Sequence, residues 1–347
     1  MVLVLVSLGL AALLGFAAHR ASICTVRAVA EVMSTGRAYY FVSFGKSVLW
    51  VLAVAVPLFW IDPGNALRLQ GWELSSQSLL GGLMFGMGAV LNGGCSFSTL
   101  ARLADGQLRM LATLTAFTLG VLLELEIVRA GYLSNPLPGP SLIHHVAPYA
   151  GALSMLLWLW AIYEARRLWQ TRPPGYRLKD LVLGRQYRLS TAAMLMGLAS
   201  GTLYLIHGAW TYTGALRQGV EGLVIAGETP TPVRVSLLAA VFAGMLLSTR
   251  QRGSFRLDWR MSPAWAMNFL GGMLMGIGAT LVPGGNDALV LYAIPMSSIH
   301  AWPAYGALLT GIAIAVLIMR RALGVEMRID CQSDVCRASQ SRHPVLS

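Results

Sequence analysis

Nine stretches of 16–20 apolar, nearly uncharged residues recur along this chain, near positions 2–19, 41–60, 77–93, 110–128, 148–163, 190–207, 232–247, 265–282 and 302–319. About 20 helical residues cross the hydrocarbon core of a bilayer. Backbone at that depth must satisfy its own hydrogen bonds, so the pattern dictates an all-α integral membrane protein. Only 12% of the 347 residues are charged, against about a quarter in a soluble domain. The first stretch has no basic leader and no A-x-A site, so it reads as a retained span and not as a cleaved signal.

Charge placement sets the expected orientation. In a soluble protein a net charge of +11 would suggest nucleic acid, but here Lys and Arg sit in the connections. That is the positive-inside bias, and no nucleic-acid partner is expected. Segment 164–189 holds seven basic residues and 248–260 four, whereas 61–76 carries only Arg68 and 129–147 only Arg129. With nine spans every basic connection falls on one side, placing the N-terminus outside and the C-terminus in the cytoplasm. Trp158, Trp160 and Trp169 read as an interfacial belt.

An internal repeat organises the spans. "LLGGLMFGMGAVLNGGC" (79–95) aligns with "FLGGMLMGIGATLVPGGN" (269–286) with one insertion. Both carry LGG-x-x-x-G-x-G-A-x-L followed by Gly-Gly. A weaker match sets Cys24 near Thr211. The expected organisation is a first repeat over 1–128, a linking span and basic loop over 129–189, a second repeat over 190–319 and a cytoplasmic tail over 320–347. Five crossings before the second repeat would invert it, an arrangement found in transporters with the site at the repeat interface.

Four stretches near 22–36, 95–106, 209–222 and 286–298 are too short to cross, and each follows a span that ends in polar or glycine residues. They read as re-entrant half-helices, since irregular backbone at membrane depth survives where it lines a cavity. Gly93 and Gly94 allow a sharp turn and close ligand approach. Cys95, Ser96 and Ser98 then open a helix whose free N–H groups favour an anion. Gly284, Gly285 and Asn286 take the matching place in the second repeat, and Cys24 the place in the first half-helix. All of these but Ser98, eight residues, form the candidate substrate-binding set. Asp287 reads as a cap of its own half-helix. Arg20 and Arg27 read equally as cytoplasmic anchors or as an anion vestibule, and Glu124 and Glu126 as snorkelling or paired acids. His144 and His145 lack metal-ligand spacing and read as solvent-facing.

Cys331 and Cys336 lie in a polar tail expected to be disordered, with both thiols reduced in the cytoplasm. Neither cysteine pair has C-x-x-C spacing. No general base, metal set or cofactor motif accompanies the cysteines, so no enzyme, metal or cofactor is expected.

Four segments, "RASICTVRA", "NGGCSFSTLARLADGQ", "HGAWTYTGAL" and "VPGGND", resemble the YeeE/YedE family of bacterial inner-membrane proteins, which includes thiosulfate importers. The resemblance implies an hourglass fold of nine spans and four re-entrant helices, and a cargo passed between cysteines by S–H···S and S–H···O contacts. Cys24 and Cys95 match two such positions; where characterised transporters have a third cysteine this chain has Asn286. It also implies a small sulfur carrier of the TusA type as partner, besides the lipid bilayer and the sulfur anion. The leading expectation is import of a small sulfur oxyanion, thiosulfate first. Its alternatives are another sulfur or selenium species, a membrane-bound sulfurtransferase or redox protein using Cys95, and a structural subunit of a sulfur-oxidation assembly.

Overall fold

The computed structural model describes residues 2–61, 71–141, 147–171, 184–224, 231–332 and 334–342. Long and short helices follow one another in a recurring order. Helices α1 (Val2–Ala21), α2 (Thr25–Thr35), α3 (Tyr39–Ile61), α4 (Ser76–Asn92), α5 (Ser96–Ala104) and α6 (Met110–Arg129) precede α7 (Ala150–Gln170). The same long–short–long order returns in α8 (Leu189–His207), α9 (Tyr212–Val224), α10 (Pro232–Arg252), α11 (Ala264–Leu281), α12 (Asn286–Ala288) and α13 (Ala301–Leu323). Helix α12 runs on into a π-helical turn, Leu289–Ala293. Eight helical stretches among the described residues are long and apolar enough to cross a membrane. The span expected near 148–163 is helix α7, whose last turns carry Glu164, Arg166 and Arg167. It packs along α3, with Trp158 Nε1 donating to the Ala53 carbonyl and Lys46 paired to Glu164.

Chemistry explains the helix ends. A capping box starts α4: Ser75 Oγ accepts from the Ser78 N–H, and Ser78 Oγ accepts from the Ser75 N–H. Its other end is a Schellman turn, with Gly93 N–H on Val90 O at 2.9 Å and Gly94 N–H on Ala89 O at 2.8 Å. Gly93 has φ 77°, a left-handed conformation that a β-carbon would strain.

Packing is reciprocal between the two long–short–long sets. Helix α1 lies against α10 and α3 against α8; α4 lies against α13 and α6 against α11; α4 and α11 also pair with each other, as do α1 and α8. At the α4–α11 crossing a β-carbon on Gly88 would stand 2.6 Å from the Gly271 carbonyl oxygen, and one on Gly271 2.7 Å from that of Gly88. Only glycine permits backbones this close, as at small-residue helix crossings in lipid. The outward faces are large and apolar, with Leu5, Met155, Leu159, Ile162 and Leu270 exposed. Such a belt suits lipid and not water.

The two ends of the bundle differ. At one, His19 bonds Ser248 Oγ (2.8 Å) and Asp105 Oδ1 (3.1 Å), while Thr249 and Ser254 also donate to Asp105. Buried Arg20 donates there to Ser248, Gln251 and the Gly184 carbonyl, and covers the Phe16 ring. It is an internal clamp, neither of the two roles expected for it. The basic connections 184–188 and 250–260 and the C-terminal segment share this end, with Leu189 N–H on Asp334 O at 2.8 Å. At the other end Gly71–Trp72 (β1) pairs with Pro138–Gly139 (β2), and Trp72 N–H donates to Ser298 Oγ.

The expected disordered tail is corrected. Strands β3 (Val325–Gln332) and β4 (Val335–Arg342) form an antiparallel hairpin, with Cys331 opposite Cys336 and their sulfurs joined in a disulfide. These cysteines are therefore not reduced thiols in this structure. The hairpin packs on α2, where Arg37 donates to the Cys331 carbonyl. Of the tryptophans expected in an interfacial belt, Trp158 and Trp169 are exposed, whereas Trp160 packs on Trp50 with ring centroids 5.4 Å apart. Glu126 pairs with Arg129 at 2.7 Å, while Glu124 is buried. His144 and His145 lie outside the described residues.

Candidate functional site

Each short helix begins just after a sharp backbone turn. Ser22 (φ 51°), Gly93 (φ 77°), Gly208 (φ 70°) and Gly284 (φ 137°) mark the four breaks. The starts that follow them meet inside the bundle and close a ring. Cys24 is the N-cap of α2, Cys95 that of α5 and Gly285 that of α12, while α9 begins at Tyr212.

The ring contacts run from one start to the next. Between α5 and α2, the Cys95 N–H and the Ser98 hydroxyl both donate to Cys24 Sγ, each at 3.5 Å, and Cys95 Sγ lies 3.9 Å from Ser98 Oγ. Between α2 and α12, Thr25 Oγ1 donates to Asn286 Oδ1 at 2.7 Å. Between α12 and α9, Asp287 accepts from the Thr213 N–H (3.0 Å) and hydroxyl (2.6 Å), and Thr213 Oγ1 in turn accepts from the Gly285 N–H (2.8 Å). Between α9 and α5, the Tyr212 and Phe97 rings pack in a tilted pair with centroids 5.8 Å apart. Asp287 was expected to cap its own half-helix; its carboxylate faces the Asp287 and Ala288 N–H groups there and also caps the first turn of α9.

All eight residues of the sequence-derived set lie at or beside these breaks. Gly94 must be glycine for space: a β-carbon there would lie 2.3 Å from Ser98 Oγ. Cys95, Asn286 and Asp287 line one cavity of about 20 Å³ with Phe97 and Ser47, room for about one water. The ring is thus closed to any sulfur oxyanion in this conformation. Ser96 Oγ is buried and has no hydrogen-bond partner among the described residues. A buried hydroxyl without a partner is costly, so a ligand oxygen there would be favoured.

Sequence reasoning missed the residue that holds the α4 break. Asn92, 2% exposed, donates through Nδ2 to Gly94 O (2.9 Å) and Thr99 Oγ1 (2.7 Å). Its Oδ1 accepts from Thr113 (2.7 Å) and from Asn268 of α11 (2.8 Å). The available signal was a lone amide at the end of an apolar run. Thr25 and Thr213 were missed too, since each acts across helices far apart in sequence.

Among the described residues the one group with metal-ligand spacing is Glu31, Cys331 and Cys336. There the sulfurs are joined to each other and the Glu31 carboxylate accepts the Tyr39 and Tyr40 N–H groups, both at 3.0 Å. It reads as the cap of α3 beneath the hairpin.

Comparison with known proteins bears on this geometry. A family model described as sulphur transport matches residues 20–314, which include all four short helices. The chain is also similar to the thiosulfate transporter TsuA of Spirochaeta thermophila, 24% identical over 281 residues that cover 74% of this chain and 79% of the relative.

Proposed function

We propose a function from one premise: the chain belongs to the sulphur-transport family. It is accordingly a membrane transporter of sulfur compounds and not an enzyme. In our reading the cargo is a small sulfur oxyanion, thiosulfate first, imported through the ring of helix starts. The helices cross the membrane nine times, with the N-terminus outside and the basic end in the cytoplasm. The two long–short–long sets act as inverted halves that meet at the ring.

The observation that carries this reading is the meeting of Cys24 and Cys95 at two helix starts, with N–H and O–H donors turned to the sulfur. An oxyanion entering a bilayer loses its hydration, a penalty of many kcal/mol unless fixed donors replace the water. Helix N-termini supply such donors without reorganisation. The Ser96 hydroxyl adds one that nothing else occupies. Thiols add polarizable contacts that suit the terminal sulfur of thiosulfate, and the Asn286 amide supplies hydrogen bonds but no thiol chemistry. Passage needs the contacts of 3.5–3.9 Å around Cys24 and Ser98 to part, with the anion taking their place. These are side-chain contacts, so the opening needs no wholesale rocking of the halves. Sulfur transfer from a TusA-type carrier to Cys331 or Cys336 is not part of this reading, because both sulfurs are buried and joined.

Uptake of radiolabelled thiosulfate into proteoliposomes, with sulfate and selenite as competitors, tests the proposal. Saturable uptake that sulfate fails to displace is expected. Absence of uptake in vesicles holding folded protein, or stronger transport of selenite, would reassign the cargo.

A further inference from the structure

Beyond the ring, the connection from α5 to α6 builds a second feature. Gln107 Oε1 accepts from Arg102 Nε at 2.9 Å and from Arg109 Nη2 at 3.1 Å. One neutral oxygen thus holds two guanidiniums side by side. Arg102 also donates to the Asn92 carbonyl at 2.9 Å, which ties the pair to the α4 break. Among the described residues neither arginine forms an ion pair with a carboxylate. Asp105, in the same connection, is taken up by His19, Thr249 and Ser254. Arg109 Nε is buried with no hydrogen-bond partner.

Two like charges held together away from bulk water repel, and an acidic bridge would relieve them. An amide in that place leaves the charge available. Both arginines line a cavity of about 520 Å³ that opens beside Gly93, two residues before Cys95, with Asn268 and Met327 of the hairpin on its walls. This is the end of the bundle that gathers the basic connections. We propose that the cavity is a second anion station, in which a doubly charged sulfur oxyanion sits between Arg102 and Arg109 on the basic side of the cysteine ring. Two planar guanidiniums match a dianion in charge and offer forked donors to its oxygens. The station rests on the reading of the chain as a sulfur-oxyanion transporter, and gives the anion a place to rest once it has left the ring.

The test uses the purified full chain in detergent. The thermal unfolding midpoint is followed against thiosulfate, sulfate and chloride at matched ionic strength. Both dianions are expected to raise the midpoint and chloride to leave it unchanged. Arg109→Gln should weaken the apparent dianion affinity on the order of tenfold, the loss typical of one charged hydrogen-bond donor. Cys95→Ala should keep the sulfate response. Arg102→Gln is a second variant; should it fail to fold through loss of the Asn92 contact, Arg109→Gln alone decides. An equal rise with chloride, or an undiminished response in Arg109→Gln, overturns the station. Thiosulfate uptake with no dianion response in the unaltered protein defeats the station and leaves the transport reading standing. A dianion response without thiosulfate uptake does the reverse.

Discussion

The backbone N–H of Cys95 donates to Cys24 Sγ across 3.5 Å, so the sulfur at the start of one short helix receives an N–H from the start of another. Two segments 71 residues apart in sequence are joined by this hydrogen bond and by that of the Ser98 hydroxyl to the same sulfur. Either cysteine is therefore placed by the other as well as by its own helix.

If these thiols contact the permeating anion, Cys95→Ala should abolish thiosulfate uptake and leave folding intact. Truncating so small a side chain costs on the order of 1 kcal/mol. Cys24→Ala should weaken uptake as well. Cys95→Ser separates two versions of the idea: partial activity points to a plain anion donor, complete loss to a role for sulfur itself. A well-folded Cys95→Ala protein with normal uptake would make this cysteine a packing residue only.

Asn92 should matter to stability more than to chemistry. Asn92→Ala strips partners from Gly94, Thr99, Thr113 and Asn268 at once. Leaving buried polar groups unpaired costs about 1–3 kcal/mol each, and partial relaxation brings the expected total to about 3 kcal/mol. Denaturant unfolding in detergent measures it. A loss under about 1 kcal/mol would show that the α4 break is held by its Schellman turn alone.

What the sequence made legible follows from which signals are local. Apolar runs located the long helices, because lipid demands length and apolarity whatever the partners are, but missed the charged last turns that carry α7 to Gln170 and α10 to Arg252. The Gly93–Cys95 break was legible for the same reason, as glycines and a polar side chain have no place in an uninterrupted span. The roles of Asn92, Thr213 and Asp287 were hidden because each bonds a helix distant in sequence. The hairpin was missed for another reason. "VEMRIDCQ" alternates apolar and polar residues with strict period two, a strand signal. A polar composition after the last span drew attention away from that alternation.

Sidedness can be checked with positions that the fold leaves exposed. Tyr132, after α6, is 83% exposed, and Phe255, after α10, is 56% exposed. Single cysteines placed there should react with a membrane-impermeant maleimide from opposite sides, Tyr132→Cys from outside. Cys24 and Cys95 are buried and should stay silent. Labelling of both positions from one side would break the nine-crossing scheme.

The connection before α13 offers a pH-dependent prediction. His300 is 1% exposed, its Nδ1 2.8 Å from Ser298 Oγ, which itself accepts from the Trp72 N–H. Burial outweighs the backbone contacts at Trp72 and Val282 and pushes its pKa down from 6.5 to about 4. The folded protein thus keeps this imidazole neutral where the unfolded chain would protonate it. Its contribution is present in full above pH 6.5, falls as the pH drops from 6.5 toward 4, and levels off below that. Over this window the loss is about 3 kcal/mol, at 1.36 kcal/mol per pKa unit. Denaturant unfolding of the unaltered protein and of His300→Gln, compared between pH 7 and pH 4.5, isolates it from the carboxylates that titrate nearby. The variant should be less stable at pH 7 and should show a shallower decline on acidification. An identical slope in both proteins would mean that water reaches His300 and that its burial carries no penalty for the charge.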